Sequence, residues 1–127
     1  MEPVDKINQT VSSPSISVDL TYLKEITGGD RDFMTSIVTT FVNDAPNTLE
    51  RLQTSCAQSN WHEVGQAAHQ LKPSLQFVGL KPTLERIKTI EQNCKESSDL
   101  SSVPALVSVV VQDIQYGIAE LEELFPA

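Results

Sequence analysis

The chemistry open to this chain begins with two side chains three residues apart, His69 and Lys72. An imidazole titrates near neutrality, so much of it is unprotonated and nucleophilic at cellular pH. A lysine one helical turn further on shares its face and can neutralise an anionic group carried by the ring. A phosphoryl group fits, because its transfer asks of the acceptor mainly positioning and charge stabilisation. Gln76, one turn beyond Lys72, either hydrogen-bonds the ring or the phosphoryl oxygens or faces water. His62 precedes His69 by seven residues, about 10 Å along a helix axis, and reads as a surface residue. The two histidines lack the i, i+4 spacing of helical zinc motifs, and no metal site is expected. The helix of His69 offers no carboxylate cluster, so any Mg²⁺ would have to come from a partner.

These side chains need a helix to hold them. Trp61, Val64, Ala68, Leu71, Leu75 and Val78 recur at intervals of three and four, one seam facing a core. All six, Trp61 included, read as core and nothing more. A second stripe, displaced by one residue, holds His62, Gly65, His69, Lys72, Gln76 and Gly79. Glycine inside a helix costs about 1 kcal/mol relative to alanine. Gly65 and Gly79 therefore suggest a surface kept low around the imidazole, or close packing between helices; for Gly79, helix termination suffices. Asn60 can cap this helix and Gly79 can stop it.

The rest of the chain repeats the pattern. Residues 1–18 lack periodicity and read as a flexible leader, with the folded domain over 19–127. Asp19 is expected to cap a short helix ended by Gly28 and Gly29. Asp30 caps a second, with Phe33, Met34, Ile37, Val38, Phe41, Val42, Ala45, Leu49, Leu52 and Cys56 inward, and Pro46 bending rather than ending it. Pro82 starts a fourth, carrying Leu84, Ile87, Ile90 and Cys94, before a Glu96–Asp99 link. The last runs from near Ser102 to before Pro126 on Val103, Val107, Val110, Ile114, Ile118, Leu121 and Phe125. No stretch alternates as strands do. The expected fold is all-α: an antiparallel up-down four-helix bundle with a short additional N-terminal helix.

Composition sets the limits. The 127 residues hold 9 Lys+Arg against 17 Asp+Glu, a net charge of −8, which excludes grip on nucleic acid and disfavours an anionic membrane face. The most apolar stretch, Val103–Val111, reads as too short to span a bilayer. Cys56 and Cys94 are too few for a disulfide framework and read as small buried hydrophobes. A soluble, cytoplasmic, free-standing protein is expected. Within residues 60–90, Lys72, Lys81, Arg86 and Lys88 oppose Glu63 and Glu85, a net +2 that leaves −10 elsewhere. The candidate site thus sits in the least acidic part of the chain. The Glu120–Glu123 segment reads as a solvated face.

The run Ala68-His-Gln-Leu-Lys-Pro-Ser-Leu-Gln-Phe-Val-Gly79 resembles the signature of histidine-containing phosphotransfer (HPt) domains. His69, Leu71, Lys72, Ser74 and Gly79 match it position by position, and helix number and order agree over 19–125. The resemblance implies that His69 accepts a phosphoryl group from a receiver-domain aspartate and yields it to another receiver in a two-component phosphorelay. The implied partners are receiver domains of response regulators and hybrid histidine kinases. It implies a phosphoryl carrier, not an enzyme, without nucleotide site or cofactor, and a monomer apart from its receiver partners. The competing reading is a helical adaptor that binds receivers without accepting phosphate. One departure is Pro73, where the family more often has a small residue; it leaves the His69 carbonyl without its helical donor and should tilt the ring outward.

Overall fold

The computed structural model describes residues 17–126. Its elements are α1 (Thr21–Thr27), α2 (Arg31–Ala57), α3 (Trp61–Val78), α4 (Lys81–Glu96), a 3₁₀ turn (Leu100–Ser102) and α5 (Val103–Leu124). Helix ends fall where orphan backbone groups find partners. The Asp30 carboxylate accepts from the Phe33 amide at 3.1 Å, and Asn60 Oδ1 from the Glu63 amide at 3.3 Å. Gly28 and Gly79 close α1 and α3 in the left-handed conformation. α2 and α3 run unbroken through Pro46 and Pro73. Glu96 belongs to α4 rather than to the link, which begins at Ser97.

α1 departs from expectation at its start. Leu20, not Asp19, is the cap residue. The Asp19 amide donates to the Val78 carbonyl at 3.1 Å, tying Asp19 to the end of α3, and its carboxylate accepts from Thr21 instead.

The four long helices pack in chain order around a ring that closes between α5 and α2, with α1 laid against α2 and α3. Short links make successive helices antiparallel. The closure confirms it: Arg31, at the start of α2, donates to the Leu124 carbonyl at 2.6 Å and stacks on the Phe125 ring at 4.3 Å. This is the expected all-α bundle with its added N-terminal helix. Its core holds Met34, Val38, Phe41, Leu49 and Leu52 of α2, Val64, Ala68, Leu71, Leu75 and Val78 of α3, Ile87 and Ile90 of α4, and Val103, Val110, Ile114 and Leu121 of α5.

Four expectations need correction. Phe33 is 52% exposed, because Met34 takes the inward position and rotates its neighbour outside. Residues 17 and 18 are anchored: the Ser17 hydroxyl and Val18 amide both donate to the Glu120 carboxylate at 3.0 Å. The rest of the expected leader lies outside the described residues. The same contacts mean that Glu120–Glu123 is no simple solvated face, since Glu120 is half-buried and Leu121 fully buried. Finally, Leu100–Leu124, at mean hydropathy 1.2, is long and apolar enough to cross a membrane, unlike the shorter stretch considered alone. Its most apolar window is 39% buried in the bundle, and α5 buries Asp113 there, bonded to Arg86 and Thr83 of α4.

Gly79 has a second reason to be glycine. A Cβ there would lie 2.0 Å from the Asp19 carbonyl oxygen, and its φ is +70°. Gly79→Ala should therefore destabilise the fold by about 2 kcal/mol or more, the sum of backbone strain and a clash that rigid neighbours cannot relieve. Urea unfolding should show the lowered midpoint at unchanged slope.

Candidate functional site

α3 turns one edge to α4 and the other to α2, leaving His69 outward between them with 65% of its side chain exposed. The seam beneath is closed by Ala68, Leu71 and Leu75, so the helix cannot roll without exposing core. On the α2 side, Arg51 binds both Glu63 and Gln70. On the α4 side stands a residue that sequence reasoning missed.

Glu91 bridges the two candidate residues. One carboxylate oxygen lies 2.7 Å from His69 Nδ1 and the other accepts from Lys72 Nζ at 2.8 Å. The hydrogen bond from Lys72 holds the Glu91 carboxyl below its ordinary 4.5; partial burial opposes this, and His69 adds to the lowering. Glu91 is thus ionised at neutral pH and can only accept. Its partner on the neutral imidazole must therefore be Nδ1–H, which leaves the Nε2 lone pair unprotonated. The arrangement fixes ring, tautomer and cation with one carboxylate.

The remaining predicted residues distribute around this clamp. Gln76 is exposed and lines, with His69, Lys72 and Lys88, a depression of about 310 Å³. Its side chain makes no hydrogen bond among the described residues. Gly65 borders a larger depression, about 650 Å³, on the other side of His69; a Cβ there would meet Cys94 Cβ at 3.4 Å. Trp61 is half-buried and walls this depression with His62, so it is more than core. Gly79 borders neither depression; its close approach is to Asp19, which makes packing and termination its local role. Pro73 is exposed beside Lys72 in the smaller depression. Cys94 is buried and Cys56 half-buried, and burial raises both thiol pKa values, as expected of hydrophobes. Among the described residues, no three His, Cys, Asp or Glu side chains converge to hold a metal ion.

A nucleophilic nitrogen is thus presented on the surface of a helical bundle with a paired cation beside it. Comparison with known families places the bundle that carries it. The Hpt domain model matches residues 36–124, from the second turn of α2 to the end of α5. The chain belongs to the Hpt domain family, and so to the phosphotransfer components of two-component signalling, which act as phosphoryl carriers and interact with receiver domains. Searches of curated proteins and of solved structures each returned no match.

The clamp has a pH signature. With its carboxyl pKa lowered on folding, Glu91 contributes stability above about pH 4.5 that is lost as pH falls through the folded value. Nitrogen-15 NMR of His69 should show the Nδ1–H tautomer near neutrality. Glu91→Ala should release the ring into a tautomer mixture, and an unaltered spectrum would show that the clamp does not set the proton.

Proposed function

We propose that His69 is the phosphoacceptor of a phosphorelay intermediate, exchanging phosphoryl groups with receiver-domain aspartates. The observation that carries this reading is the Glu91 bridge, which points a proton away from Nε2 while the ring stays exposed. Nε2 attacks the phosphorus of an aspartyl phosphate; the N–P bond forms, the acyl O–P bond breaks, and the aspartate leaves as carboxylate. No proton moves. The phosphorylated ring keeps Nδ1–H, and its positive charge faces the Glu91 carboxylate. Return transfer reverses each step, with neutral imidazole as the leaving group.

Lys72 supplies charge to the phosphoryl oxygens and Gln76 a neutral donor. The receiver brings the Mg²⁺. Its apolar contacts fall on Tyr22 and Ile26 of α1 and on Phe33 of α2, all exposed, and on Phe77, whose ring stacks on Tyr22 at 6.1 Å. The protein works as a cytoplasmic monomer, and carries rather than generates its phosphoryl group. Burial of a docking receiver is all that the site needs to exclude water.

Incubation with a phosphorylated receiver should yield acid-labile, alkali-stable label that vanishes in His69→Gln. Label persisting in that variant would refute the assignment; absence of label with every receiver would favour the adaptor reading. Lys72→Ala should slow transfer about 10- to 100-fold, the worth of one charge-assisted hydrogen bond in the transition state.

A further inference from the structure

In the Glu91 clamp one carboxylate already faces one ammonium, that of Lys72, beside the imidazole. A phosphoryl group adds about −1.5 to −2 charges, and a phosphorylated partner surface adds more. Lys72 alone, already bonded to Glu91, cannot balance them. The protein around it carries a net −8 and would repel such a partner at long range.

α4 supplies the missing charge. Lys88 stands three residues before Glu91 and Lys95 four residues after it, so all three share one edge of the helix. Lys88 borders the smaller depression beside His69, together with Lys72; Lys95 borders the larger one, together with His62. The histidine therefore lies between two lysines from the neighbouring helix. Among the described residues, Glu91 is the only carboxylate lining either depression. Besides His69, the charged or titratable groups lining the two depressions are His62 and Lys72 from α3, and Lys88, Glu91, Lys95 and the buried Cys94 from α4. Lys88 also lies 3.3 Å from Glu85, but that pair is 54% and 72% exposed and worth little. Lys95 forms no ion pair among the described residues.

We propose that Lys88 and Lys95 form a cationic cradle astride His69 that captures the anionic face of a phosphorylated receiver. This rests on the reading of His69 as phosphoacceptor. The partner's chemistry follows from the transfer itself: an aspartyl phosphate with neighbouring carboxylates, whose charge a bound Mg²⁺ offsets only in part, arrives at His69 as a net negative surface. Two lysines on opposite sides of the ring steer that surface onto it and fix its approach over the α3–α4 edge. They act on encounter, complementing the apolar contacts of α1 and α2.

Lys81 provides the control. It continues the seven-residue row of Lys88 and Lys95, but stands 3.8 Å from Asp19 at the end of the bundle and borders neither depression. Lys88→Gln with Lys95→Gln and Lys81→Glu each change the net charge by −2. The second-order rate of transfer from a phosphorylated receiver should fall about tenfold at low salt in the double variant and much less in Lys81→Glu. The double variant should also lose most of the salt dependence, because screening acts on the charges it lacks. Equal losses in the two variants would reduce the effect to net charge, and an unchanged rate and salt slope would remove it; either overturns the cradle. Phosphoramidate, a small phosphoryl donor that needs no docking, tests the underlying reading separately. Wild-type protein without His69-dependent label from phosphoramidate would sink the phosphoacceptor assignment itself, whatever the lysines do.

Discussion

One carboxylate reaches from α4 to two side chains on α3, and it can do so only if the two helices hold a fixed register. Hydrogen-bond geometry tolerates a few tenths of an ångström, whereas a slip of one residue moves a helix by 1.5 Å. The register is set far from His69. Gly79 ends α3 in a left-handed turn that its contact with Asp19 makes intolerant of a side chain. Leu80, fully buried in that turn, seats against Gly117 of α5, where a Cβ would lie 2.8 Å from its Cδ1. Thr83 and Arg86 then hold α4 to α5 through the buried Asp113 carboxylate, at 3.3 and 2.9 Å. Burial raises the Asp113 pKa in spite of Arg86, so this pair orients more than it stabilises. Arg86 and Glu91 are five residues apart, about 140° around the helix. Pinning one toward α5 turns the other toward α3.

Much of this was legible in the sequence, and the part that was not has a common cause. Helical periodicity reports which face of one helix is apolar, and it located α2 to α5, the α3 seam and the polar stripe with His69 and Lys72. It does not report what stands opposite. Phe33 and Trp61 lie at the edges of apolar stripes, where the choice between core and surface belongs to the neighbouring helix. Glu120 looked solvated because its partners, Ser17 and Val18, lie over a hundred residues away. Glu91 escaped for the same reason, and the charge window around the site stopped one residue short of it.

A signal for Glu91 was nevertheless present. Two antiparallel helices joined by a tight turn rise equally on each side of it, so positions equidistant from the turn face each other. His69 lies eleven residues before Leu80 and Glu91 eleven after; Lys72 and Lys88 each stand eight away, and Gly65 and Lys95 fifteen. Reflection through Leu80 pairs the site across both helices. It requires the turn to be short, which Gly79 and Pro82 already indicated.

An exposed reactive side chain faces a conflict between access and order. A buried imidazole is easily positioned but cannot meet a partner, whereas an exposed one samples several rotamers, each productive only part of the time. Glu91 resolves this by gripping the ring from its flank, leaving the outer edge open with Gly65 low beside it. With His69 as the proposed phosphoacceptor, the same grip bears on what the ring must do after loading. A carboxylate beside the ring favours the positive charge of the phosphorylated imidazole, but it repels the phosphoryl oxygens and competes with them for Lys72. The first effect eases acceptance; the second keeps the N–P bond ready to be given up. A neutral residue at position 91 would lose both effects, so the charge of Glu91, beyond its reach, suits a ring that takes up a phosphoryl group and passes it on.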